Sequence, residues 1–146
     1  MFLLRVKAEL RPTEDEEKVF KALKNLFEFE RLEVIDSYPY KAVVGESKNI
    51  TSLKKLHDIL RQERILDAVR NVLIKSKSGS TVEFKLHKQS AYVGRVSLIT
   101  YDSESPLGPI VVTISSDKID EVIEWLAPKT VSGHPIHERP MPEVDP

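Results

Sequence analysis

A chain of 146 residues with 40% apolar and 31% charged side chains fits one soluble domain able to bury a core without covalent staples. The absence of cysteine excludes disulfides, thiol catalysis and cysteine-bound metals. Net charge is −1, yet residues 48–95 carry +7 and the remainder −8, a split that suggests one face for an anionic partner.

Phe2, Leu4, Val6, Ala8 and Leu10 alternate with mostly charged neighbours, the period-2 pattern of a half-buried strand. Arg5, Lys7, Glu9 and Arg11 break up the apolar start, which excludes a signal-peptide core and a membrane span and makes the cytoplasm the expected location. Few Asn and Gln, no Cys and nine Pro fit a heat-adapted protein. After Pro12, Thr13 and Glu16 read as a capping box. It opens a helix whose Val19, Phe20, Leu23, Leu26 and Phe27 form one stripe. Leu32–Ile35 and Ala42–Val44 read as short strands around a Tyr38-Pro39-Tyr40 turn, and Glu46–Asn49 as polar loop.

From Ser52 to Lys75 the pattern is helical with a fault. Leu53, Leu56, Ile59 and Leu60 share one face, and Ile65, Leu66, Val69, Val72 and Leu73 another. The five-residue step from Leu60 to Ile65 turns the stripe by roughly 140°, so a straight helix cannot present both to one core. The sequence predicts a break within Arg61–Arg64.

Ser76–Ser80 reads as a turn, Val82–Leu86 as a strand and Val96–Leu98 as its neighbour, with Lys88-Gln89-Ser90 between them. Ser105-Pro106-Leu107-Gly108 has type I turn chemistry and leads from Pro109 into a strand over Ile110–Ile114. Ser116 is expected to cap a helix bearing Ile119, Val122, Ile123 and Leu126, which Pro128 stops. Grouped strands argue for an α+β fold, a mostly antiparallel sheet with helices packed on one face. The domain is set at residues 1–128, with a Pro-rich, extended and partly mobile tail over 129–146.

Motif evidence yields no catalytic, metal or cofactor site. There is no nucleotide loop and no nucleophile elbow, and Pro135 sits between His134 and His137. The basic segment is what remains. Its cations suit phosphate contacts, and Tyr92 offers a ring for base stacking. The plainer reading is a solvated helix surface neutralised by Asp58, Glu63 and Asp67.

Five stretches together resemble an archaeal family of small proteins of uncharacterised role, described as predicted exosome subunits or RNA-binding proteins. They are Arg11–Val19, Leu60–Arg70, Leu86–Val96, Glu104–Ile110 and Trp125–Pro128. The resemblance implies a fold similar to the ribosomal protein that binds 5S ribosomal RNA. Where that family has Asn before the Lys-Gln pair, this chain has His87.

The expectation is a non-enzymatic RNA-associated protein. Arg61, Arg64, Arg70, Lys85, Lys88, Gln89 and Arg95 would form its RNA face. The rival is a homodimeric interaction module whose arginines pair with a partner's acidic first helix.

Overall fold

A computed structural model describes residues 1–101 and 104–144. Its frame is a five-stranded antiparallel sheet in the order β2-β3-β1-β5-β4, formed by β1 (Phe2–Leu10), β2 (Arg31–Ile35), β3 (Lys41–Ser47), β4 (Thr81–Leu86) and β5 (Ile110–Ser116). The first strand is the central one. Val6 stands opposite Gly45 on one side and Val112 on the other.

Alternation does what the sequence predicts. Phe2, Leu4, Val6 and Ala8, with Val82, Phe84, Leu86, Ile110, Val112 and Ile114, all point into one core. Helices α1 (Glu16–Leu26), α2 (Lys54–Gln62), α3 (Leu66–Ser76), α4 (Lys88–Tyr92) and α5 (Ile119–Leu126) contribute residues to that core. The opposite sheet face presents Arg5, Lys7, Glu33, Glu46, Glu83 and Lys85 by the same period. At Gly45, an added Cβ would lie 2.5 Å from the Phe29 ring, so glycine is needed for close packing under that aromatic.

The predicted break lies at Glu63–Ile65. The amide of Ile65 donates to the carbonyl of Leu60 (3.2 Å) and that of Arg64 to Arg61 (3.3 Å), the paired bonds of a Schellman motif. Arg64 takes the left-handed position with φ 57°. Reorienting the chain there buries Leu56 and Leu60 of α2 together with Leu66, Val69 and Leu73 of α3. A 3₁₀ turn over Ile50–Leu53 precedes α2.

Several local expectations need correction. Val96–Leu98 is not a regular strand: Leu98 makes one bridge to Leu86, and the intervening residues form α4. β3 runs on to Ser47 through part of the expected polar loop. The cap of α1 is Asp15, which accepts from the Glu17 amide (3.0 Å), because the helix begins at Glu16 and leaves the expected Thr13 two residues ahead of the cap position. Ser116 sits two residues too early to be the N-cap of α5, a position held by Lys118. Its Oγ accepts from the Lys118 amide (3.1 Å) and donates to the Met1 carbonyl (2.7 Å).

Residues beyond Pro128 are not simply extended. A small hairpin joins β6 (Thr130–Val131) to β7 (His134–Pro135) through Ser132 and Gly133, both with positive φ as a type I′ turn needs. Met141 and Val144 then pack on the core, and Lys118 Nζ donates to the Glu143 carbonyl (2.8 Å). Pro146, the last residue of the expected tail, lies outside the described residues. Among the described residues no helix is long and apolar enough to cross a membrane.

Candidate nucleic-acid interface

The seven candidate RNA-contacting residues do not share one surface. Arg61 uses all five of its N–H donors inside the chain. Nε and Nη2 bond the Glu138 carboxylate (2.8 and 2.7 Å). Nη1 bonds the carbonyls of His57 (2.8 Å) and Leu126 (3.1 Å), and Nη2 also bonds that of Trp125 (3.1 Å). Arg70 bonds Glu124 through two nitrogens and the Ala127 carbonyl (3.0 Å).

Two guanidiniums thus supply partners for the carbonyls at the end of α5, which lack intrahelical donors. Positive charge there also suits the helix dipole. The indole of Trp125 stacks on His57 at 4.8 Å between centroids, inside the same junction.

Lys88 is likewise internal. It and Glu14 have side-chain exposures of 5% and 8%. The ammonium donates to the carbonyls of Glu9 and Leu107, each at 2.7 Å, and to Glu14 at 3.0 Å. Three donors meet three sets of acceptors, so nothing is left for a ligand. Burial lowers the Lys88 pKa from its ordinary 10.5, and the bond to Glu14 opposes that shift. A neutral amine would lack the third proton, so this junction requires the charged form. Glu14 also accepts from the Arg11 amide (2.9 Å). The arrangement ties together the end of β1, the start of α1, α4 and the Ser105–Gly108 turn. That turn forms as the sequence predicts, with the Gly108 amide on the Ser105 carbonyl (2.9 Å).

These bonds give the charge segregation a meaning the sequence alone conceals. Arg61–Glu138, Arg70–Glu124, Lys77–Asp120 and Lys88–Glu14 each join a cation of residues 48–95 to an acid outside them. Much of the basic segment's excess charge is matched within the chain.

Of the remaining candidates, Lys85 belongs to the opposite sheet face. Gln89, Arg64 and Arg95 are exposed on the helical side. Arg95 approaches Glu63 (3.5 Å), whose other oxygen accepts from the Val96 amide (2.9 Å). The rival pairing of the same arginines with another subunit's helix loses its donors at Arg61.

Sequence reasoning found α1 as a helix but missed its lysines as a candidate surface. Lys18, Lys21 and Lys24 are exposed along it, three residues apart, but they lie outside the basic segment and among the acids of the first helix. Packing sets α1 against α4. Asn25 Nδ2 bonds the carbonyls of Ala91 (3.0 Å) and Tyr92 (2.9 Å), and Lys21 Nζ lies 4.9 Å from the centre of the Tyr92 ring. Lys55 Nζ reaches the Lys24 carbonyl (3.2 Å). A cleft of about 380 Å³ opens between α1 and α4. Its floor includes Val19, Ala22 and Leu107, and its walls include Lys18, Gln89 and Tyr92.

His87 explains how α4 starts. Its Nδ1 accepts from the Ser90 amide (3.3 Å), the N-cap task for which Asn is also suited. An acceptor, rather than an amide, is what the backbone needs there. Gly94, with φ 79°, ends the same short helix: its amide bonds the Ala91 carbonyl (3.0 Å) and that of Arg95 bonds Ser90 (2.9 Å).

A family model described as RNA binding matches residues 4–116. A protein of the UPF0201 family from Aeropyrum pernix is 51% identical over 143 residues, covering 96% of this chain and 94% of that one. Another from Metallosphaera sedula is 45% identical over 138 residues, covering 94% and 96%. The crystal structure of the UPF0201 protein from Methanococcus jannaschii superposes with a TM-score of 0.81 at 35% identity, covering 92% of this chain and 99% of that one. The chain belongs to this archaeal family.

Proposed function

We propose that this member of the UPF0201 family is a non-enzymatic RNA-associated protein that meets its ligand on the helical side rather than on the sheet. The observation that carries this reading is the set of exposed lysines Lys18, Lys21 and Lys24 on α1, of which Lys21 lies against the Tyr92 ring. Cations that follow a phosphate backbone next to an aromatic stacking platform are the two elements of sequence-tolerant single-strand binding. Gln89 lines the same cleft as Lys18 and Tyr92, and Arg64 and Arg95 are further exposed cations. The family model's description supports an RNA ligand as a class.

Fluorescence anisotropy with a labelled single-stranded RNA tests this. Each phosphate contact should contribute a slope of about −0.7 to log K against log salt. Replacing Lys18, Lys21 and Lys24 together by Gln should weaken binding and flatten that slope without altering the melting temperature. No binding by the wild type near about 50 mM salt, where phosphate contacts are strong, would refute the reading. Equal binding by the triple variant would remove it from this face.

A further inference from the structure

We infer that the cleft between α1 and α4 takes the base of one unpaired nucleotide, with the flanking phosphates held at its rim by Lys18 and Lys21. This rests on the RNA reading above and names the class of RNA: a single strand or loop with a base free to leave its stack.

Charge placement across the cleft carries the inference. At the inner end the Lys88 ammonium has every proton engaged, and Glu14, its carboxylate partner, is buried beside it. A phosphate there would meet a carboxylate and no spare donor. Val19, Ala22 and Leu107 supply apolar surface instead. The exposed cations Lys18 and Lys21 are outside, on α1, with the Asp15 carboxylate near them at the mouth. A ligand matching this gradient is flat, uncharged and partly apolar within, and anionic without. A nucleobase on its sugar–phosphate backbone has that distribution.

Polar groups are placed to meet a base edge. Gln89 lies on the wall and is exposed, with a carboxamide that offers both donors and an acceptor. Asp15 uses one oxygen on the Glu17 amide, which leaves the other as an acceptor at the mouth. Tyr92 supplies the stacking ring, and Lys21 already sits against it. The volume, about 380 Å³, falls at the lower end of small-molecule pockets, enough for one nucleoside-sized group and too small for a duplex. Unpaired bases held on aromatic rings and read at their edges are the usual basis of single-strand RNA recognition.

The test compares a single-stranded RNA with a blunt duplex of the same sequence, titrated against wild type, Tyr92→Leu, Gln89→Ala and the triple lysine variant. Tyr92→Leu should weaken single-strand binding about tenfold or more, the usual effect of losing one base stack. It should leave the weaker duplex binding within about twofold, since phosphate contacts persist. Gln89→Ala, an exposed substitution that preserves the fold, should reduce discrimination among homopolymers. Circular dichroism verifies folding of each variant.

Irradiation of a 4-thiouridine-substituted strand gives an independent reading, and the cross-links should fall on residues 88–95 and on α1. Unchanged single-strand affinity in both Tyr92→Leu and Gln89→Ala, with loss in the lysine variant, would overturn the cleft while leaving RNA binding on α1 intact. Cross-links confined to the open sheet face would overturn it as well. Absence of any RNA binding in the wild type would remove both the cleft and the reading beneath it.

Discussion

Arg61 holds the carboxylate of Glu138 through Nε and Nη2, at 2.8 and 2.7 Å, across 77 residues of chain. The same guanidinium spends its other donors on three backbone carbonyls, two of them at the end of α5. Replacing Arg61 by Gln should therefore destabilise the protein by about 2–3 kcal/mol, because partly buried carbonyls lose charged donors. Arg61→Lys should recover little, since a single ammonium cannot reproduce the planar fork. Urea denaturation measures both. A loss below about 0.5 kcal/mol for Arg61→Gln, the range of an exposed surface pair, would contradict the role assigned to it.

At Lys88 the expected loss is larger. Lys88→Met leaves the buried Glu14 carboxylate without its cation, a change that should cost about 3–5 kcal/mol. Adding Glu14→Leu should restore at least about 1 kcal/mol of that loss, because an apolar pair is less costly than an orphaned charge. A double variant less stable than Lys88→Met alone would show that the two do not act as a buried pair.

Arg64 offers a test by sign. Glycine inside a helix costs up to about 1 kcal/mol, whereas at a left-handed C′ position it relieves strain of similar size. With Arg64 exposed at φ 57°, Arg64→Gly should leave stability unchanged or raise it by up to about 1 kcal/mol. Arg64→Val should lower the melting temperature. A fall with glycine comparable to that with valine would mean the side chain, rather than the backbone, matters there.

Acid should act on the C-terminal junctions. Hydrogen bonds from Arg70 and Arg61 hold the Glu124 and Glu138 carboxyls below their ordinary 4.5. A depressed folded value stabilises the native state above the unfolded pKa, and that contribution is lost as pH falls through the folded value. Melting temperatures should therefore drop as pH falls below about 4.5, and residues 129–144 should become susceptible to an acid-active protease. In Glu138→Gln the acid-dependent part of the drop should be smaller. An identical pH profile for that variant would exclude Glu138 as a contributor.

How much of this was legible in the sequence depends on the length of each pattern. β1 could be read from its alternation, and the α2–α3 break from an apolar stripe that rotates at Ile65. α4 could not, because five residues from Lys88 to Tyr92 are too short to show a stripe. Its start is marked by a histidine cap rather than a common capping residue. Arg61, Arg70 and Lys88 looked like surface cations because their partners, Glu138, Glu124 and Glu14, lie 54 to 77 residues away. The α1 lysines were hidden for the converse reason: acids surround them in sequence, and only packing against α4 gives Lys21 the Tyr92 ring as a neighbour. Asp15 rather than Thr13 caps α1, and Glu14 between them turns inward to a lysine 74 residues distant, a contact no local pattern reveals.

The position of β1 has a consequence for biosynthesis. The strand made first becomes the middle of the sheet, and its partner β3 follows within about one helix and one short strand. Its other partner, β5, is not complete until Ser116. A ribosome-bound chain that has emerged only as far as α4 thus carries Phe2–Leu10 with one side of its backbone unpaired, an edge able to recruit strands from other chains. Closing that edge requires contacts over more than 100 residues, the long-range kind that forms slowly. Chains stalled or truncated before residue 110 should therefore be the aggregating species, while those released after Ser116 can complete the sheet.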